Sequence, residues 1–153
     1  MARFRFRLET SLQLAKQVLE TAEWKFAREV KRWQACVQAC ALQREHFNEA
    51  QEGQREVGRH QPVDLKIWQV YVTEQGRRLK QYEAERLEQE QVKDNARRIM
   101  IEAHREVEKF GRLKETRAQA FRLLELQKEQ KVLDETSQII HWHKRRPVKL
   151  IAK

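Results

Sequence analysis

Glycine and proline occupy only six positions in this 153-residue chain: Gly53, Gly58, Gly76, Gly111, Pro62 and Pro147. Three of the six fall between residues 53 and 62, and these residue types are the strongest local breakers of regular structure. That placement leaves two helix-compatible stretches joined by one turn. The expected elements are a first helix over about 5–52, a loop over about 53–63, a second helix over about 64–143 and a basic tail over 144–153, in one rod. The fold class is all-α: two long helices forming an antiparallel coiled-coil hairpin, with the second helix longer and overhanging. A rod of this kind has no deep pocket for chemistry, so its work is contact with other proteins.

The spacing of apolar residues supports the two helices. In the first, Leu8, Leu12, Ala15, Leu19, Ala22, Phe26, Val30, Trp33, Val37, Cys40, Arg44 and Phe47 recur at steps of three or four, with a stutter from Phe26 to Val30. In the second, where Asp64 can cap the first turn, the stripe is Trp68, Tyr71, Gln75, Leu79, Tyr82, Arg86, Gln89, Lys93, Ala96, Met100, Ala103, Val107 and Phe110. Laid antiparallel with Phe47 opposite Tyr71, the partner numbers total about 118. Trp33 then faces Arg86, Phe26 faces Lys93, Ala22 faces Ala96 and Leu8 faces Phe110. A slip of one heptad would also keep the stripes facing. The centre is mixed in polarity, and Arg86 is placed to lie on the Trp33 ring.

Beyond Gly111 the second helix is expected to run unpaired for roughly 50 Å at 1.5 Å per residue. Its residual stripe of Leu113, Phe121, Leu124, Leu133, Ile140 and Trp142 calls for a partner surface. Gly76 and Gly111 each cost a helix about 1 kcal/mol relative to alanine and read as hinges, close approaches or tolerated surface positions.

Composition narrows the function classes. Charged residues make up 36% of the chain and mean hydropathy is −0.90, a coiled-coil profile. Sustained periodicity and 8% aromatic content separate it from a disordered chain. The net charge of +9 favours acidic partners, but Glu and Asp interrupt every basic stretch. Only Lys144, Arg145, Arg146, Lys149 and Lys153 form a basic cluster, read as a solvated terminus. No apolar run approaches the ~20 residues needed to cross a membrane, and Met1–Leu14 lacks a signal-peptide core, so a cytoplasmic location is expected. Cys36 and Cys40 sit one helical turn apart, ~6 Å between β-carbons, which is too far for an unstrained disulfide and too few ligands for a metal. His141 and His143 point about 200° apart on a helix. No phosphate loop, nucleophile elbow or zinc spacing occurs, and the sequence predicts no enzyme and no cofactor.

Three segments resemble the FliJ family of flagellar export proteins. They are the opening Phe4-Arg5-Phe6-Arg7-Leu8-Glu9, Trp68 followed by Tyr71 after the loop, and the late Glu129-Gln130-Lys131 with Leu133-Asp134-Glu135. Their order and spacing carry the match to about Arg145; the basic tail after Pro147 and the polar loop-side Glu74 and Arg78 depart from the family's pattern. The resemblance implies a two-helix coiled coil similar to the central stalk of rotary ATP synthases. It implies a place at the cytoplasmic face of the membrane-bound type III export apparatus, with no membrane insertion and no nucleic acid. The implied partners are the hexameric export ATPase FliI, the export gate protein FlhA and substrate chaperones. Expected ATPase-ring contacts are Arg117, Phe121, Arg122, Leu124, Lys128, Lys131 and Leu133; expected gate contacts near the loop are Leu42, Phe47, Trp68 and Tyr71. The rival readings are a stalk of a virulence-type secretion system, a generic coiled-coil scaffold or homodimer, and a basic nucleic-acid-binding rod, which would show a steep salt dependence.

Overall fold

The computed structural model describes residues 3–145. Among them are two long helices and no strand: α1 spans Glu9–His60 (52 residues), and α2 spans Leu65–Arg145 (81 residues). A single 3-10 turn, Pro62–Asp64, joins them. The fold is all-α. Packing divides the described residues into two compact units: 14–107, and 3–13 together with 108–145.

Leu14–Val107 is an antiparallel helical hairpin. Its turn is shorter than expected, because α1 does not stop at Gly53 but runs on through Gly58 to His60. It closes where the Gln61 N–H donates to Val57 O at 2.8 Å, and Pro62, lacking an N–H, begins the 3-10 turn. Asp64 ends that turn directly ahead of α2. The glycines in α1 serve space rather than breakage. A β-carbon on Gly53 would lie 2.5 Å from the Trp68 ring, so only glycine lets that ring lie against the α1 backbone.

The register departs from the expected one only in part. The Phe47 ring packs on Gly76, 3.2 Å from where a β-carbon would stand, and not opposite Tyr71. Lys93, not Arg86, lies over Trp33, with Nζ 4.0 Å from the ring centroid. The Gln43–Gln75 and Gln89–Glu29 hydrogen bonds keep the expected partner total of 118.

The seam of α1 has no stutter. After Phe26 the inward positions are Glu29, Trp33, Cys36, Cys40, Gln43, Phe47, Ala50, Gln54 and Val57, an unbroken alternation of three and four. Glu29 and Gln43, rather than Val30 and Arg44, are the buried residues at two of these positions. Each is answered across the seam. Gln43 Nε2 donates to Gln75 Oε1 at 2.7 Å, and Gln89 Nε2 donates to Glu29 Oε2 at 2.7 Å. A polar side chain at an inward position stays there because its partner satisfies it.

In the other unit the N-terminal segment lies along α2, antiparallel to it. Residues 3–7 are not helical, and burial alternates: Arg3, Arg5 and Arg7 are exposed, Phe4 is half-buried and Phe6 is buried. This period of two is that of an extended chain with one face covered. Phe4 packs on Phe121 with ring centroids 5.7 Å apart, Arg117 lies over the Phe6 ring, and Glu9 pairs with Lys114 at 2.7 Å. Pairing with α2 therefore reaches Phe121 and does not end at Phe110. Past Glu125 every described residue of α2 is exposed, over roughly 30 Å of helix.

Candidate protein-contact surfaces

Among the described residues the grooves of either unit are shallow and open, and none is lined by convergent catalytic groups. Among the described residues no group of three or more His, Cys, Asp or Glu could hold a metal ion, and no helix is long and apolar enough to cross a membrane. Both cysteines are free thiols in the seam. What the units offer is surface.

Within the hairpin, Leu42, Tyr71 and Tyr82 border a groove of about 400 Å³ between α1 and α2, with His46 and Arg78 on its rim. The Gln43–Gln75 hydrogen bond forms its floor. Of the four residues expected near the loop, the structure brings only Leu42 and Tyr71 to this groove. Phe47 and Trp68 turn into the seam, where they fill the space over Gly76 and Gly53. Tyr71 is 46% exposed and does not belong to the seam; Val72, one position on, takes the inward place. Trp68 meets the edge of Tyr71 with centroids 5.8 Å apart, which fixes the tyrosine ring at the groove.

Beside the groove, Glu74 receives hydrogen bonds from Arg77 (2.8 and 2.9 Å) and Arg78 (3.0 Å). The two guanidinium groups hold its carboxyl down at about 2. Glu29 is also held below the ordinary carboxylate range, first by the amide it accepts from Gln89 and then by Arg32 and Arg28, against the opposing effect of its burial. Both carboxylates stay ionised and structural.

The other residues expected in the seam divide by depth, Val30 and Val37 standing one position past the inward Glu29 and Cys36. Leu12, Ala22 and Ala103 are buried. Leu8, Ala15, Leu19, Phe26, Val30, Trp33, Val37, Leu79, Ala96, Met100, Val107 and Phe110 are half-buried, and Tyr82 stands at the exposed margin. A two-helix seam covers each inward residue on one side only, so few are fully enclosed.

In the other unit, two of the seven residues expected to meet an ATPase ring are already engaged. Phe121 packs on Phe4, and Arg117 lies over Phe6. Lys128 pairs with Glu125 at 2.8 Å. Arg122, Leu124, Lys131 and Leu133 are exposed. Alongside them the structure exposes Leu123, Leu126, Val132, Ile139, Ile140 and Trp142. Leu126, Leu133 and Ile140 recur every seven residues, a signal present in the sequence. Near the turn, Val63 (91% exposed), Ile67 and Val70 are a further exposed group that lies off both heptad stripes. Lys144 and Arg145 end α2, and the rest of the basic cluster lies outside the described residues.

Long helices with a polar-keyed seam, shallow grooves and uncovered apolar stripes define a coiled-coil component whose surfaces are for other proteins. The model of the family described as Flagellar FliJ protein matches residues 3–146. The chain belongs to the FliJ family, and so is a component of the flagellar type III protein-export apparatus, in which FliJ proteins are non-catalytic. No curated protein and no solved structure matches the chain.

Proposed function

We propose that this protein is the central stalk of the flagellar export ATPase, promoting assembly and activity of the FliI hexamer and linking it to the gate protein FlhA at the cytoplasmic face of the export apparatus. The observation that carries this reading is the last part of α2. Its apolar residues from Leu123 to Trp142 are exposed on more than one side of the helix, interleaved with Arg122, Lys128 and Lys131. A flat partner would satisfy one face; a ring that encloses the helix satisfies several. Leu124 and Leu133 contribute packing there, and the cations meet acidic groups of the pore. The groove bordered by Leu42 and Tyr71 is the surface offered to the gate, and Val63, Ile67 and Val70 are open to substrate chaperones.

A chain ending after Glu125 keeps the partners of Phe4, Phe6 and Glu9. It should stay helical while losing stimulation of FliI assembly and ATP hydrolysis, and motility should fall with it. Lys128→Glu with Lys131→Glu should weaken the same step at unchanged helicity. Full stimulation by the shortened chain would sink the stalk reading, because the ATPase contact would then lie elsewhere.

A further inference from the structure

The outer side of α1 carries a second stripe that neither the seam nor the surfaces assigned above use. Leu14, Val18, Thr21, Trp24, Arg28 and Lys31 follow one another at steps of three or four, all in the hairpin unit and all exposed. At ~100° per residue their face lies well over 90° around the helix from the seam residues Ala15, Leu19, Ala22 and Phe26. Trp24 is 73% exposed, an unusual position for so large an apolar side chain. It lies beside a recess of about 390 Å³ bounded by Thr21 and Ala27 and by Lys25, Arg28 and Lys31.

We propose that this face docks an acidic amphipathic helix of another protein, which seats apolar side chains in the recess beside Trp24 and sets its carboxylates against Lys25 and Lys31. Charge selects the occupant. Arg28 already lies 3.4 Å from the buried Glu29 carboxylate, and Arg32 lies 3.2 Å from it, so part of the local positive charge is answered internally. Lys25 and Lys31 are exposed, and no carboxylate within the hairpin is paired with them. A second copy of the chain would bring these cations against their own equivalents, in a protein whose net charge is already +9. An anionic bilayer fits less well. A concave recess accepts a protruding side chain, which the flat surface of a bilayer does not supply. An amphipathic helix supplies both the knobs and the rim charges.

The test titrates the full-length, isotope-labelled protein with a synthetic peptide of about three heptads, leucine on one face and glutamate on the others. Backbone resonances from Leu14 to Lys31 should shift, and binding should weaken steeply with salt. Trp24→Ala should weaken it by at least about tenfold, as should Lys25→Glu with Lys31→Glu, while helicity and melting stay unchanged because the face is exposed. The charge-reversed variant should instead take up the same peptide with lysine in place of glutamate. Shifts confined to other residues, or Trp24→Ala binding as tightly as the parent, would overturn the proposal. So would binding to phosphatidylglycerol vesicles with no response to the peptide, or a dimer that Trp24→Ala dissociates.

Discussion

Replacing glycine by alanine at Gly53, Gly76 and Gly111 puts one identical change at three helix-interior positions, and the surroundings set three different outcomes. The intrinsic gain is the same, about 1 kcal/mol per site, because alanine restricts the unfolded backbone and suits the helix. At Gly111 an added β-carbon meets nothing within 4 Å, so the gain should appear in full, raising melting by about 2–4 °C. At Gly76 it would stand 3.2 Å from Phe47 Cε2 and the ring must give by a few tenths of an ångström. Gain and strain then nearly cancel, to within about 0.5 kcal/mol. At Gly53 it would stand 2.5 and 2.6 Å from two atoms of the Trp68 ring, which no small adjustment relieves. Trp68 must leave its seat, and at an overpacking cost of about 1–3 kcal/mol the variant should be less stable by about 1 kcal/mol net. Urea unfolding followed by far-ultraviolet circular dichroism measures all three. A companion Trp68→Leu background should turn the Gly53→Ala loss into a gain, since the ring that collides is gone. Equal stabilisation at all three sites in the parent background would refute the packing of Trp68 and Phe47 described above.

Gln43→Leu strands the Gln75 amide at an inward position and should cost about 1–3 kcal/mol in chemical denaturation, whereas Gln43→Leu with Gln75→Leu should recover most of it. The double variant should also lose uniqueness of register, seen as cysteine crosslinks spread over neighbouring heptads. Trp33→Ala removes a half-buried ring from beneath Lys93 and should cost about 2 kcal/mol, below the 3–5 typical of a fully enclosed aromatic; unchanged melting would place that ring outside the seam. For the acid limb, the Glu74 carboxyl titrates lower in the folded chain than its ordinary 4.5. Its contribution is therefore complete above that value and is lost as pH falls towards about 2. Melting should decline over that window, with Glu74→Gln flattening a small, salt-sensitive part of the decline because the group is partly exposed.

Apolar identity alone leads the α1 stripe from Phe26 to Val30 and implies a stutter that the structure does not have. Position, not polarity, decides who faces inward: Glu29 and Gln43 keep the heptad because Gln89 and Gln75 wait opposite them. The alternation of arginine with Phe4 and Phe6 was visible, but period two has no meaning until a covering surface is known, and here α2 supplies it. On the candidate surfaces, Leu124, Leu133 and Leu42 were legible as apolar residues off or past the seam. Tyr71, Phe47 and Trp68 fell both on the stripes and among the expected gate contacts, because whether an aromatic near the turn is a contact or a seam residue depends on the neighbour it meets.

Two long helices, their antiparallel pairing around a single turn within about 53–63 and membership of the FliJ family all follow from local properties: periodicity, breaker placement and short motifs in order. These survive because helix period and chain reversal are settled residue by residue. Register, the place of the turn within its glycine-rich stretch, and the reach of the N-terminal segment along α2 are settled only by tertiary contacts. A helix can pass through Gly53 and Gly58 or stop there at a cost of about 1 kcal/mol each. That small balance is tipped by the Trp68 ring on Gly53, the Phe47 ring on Gly76 and the Gln43–Gln75 hydrogen bond, none of which exists until the two helices have met.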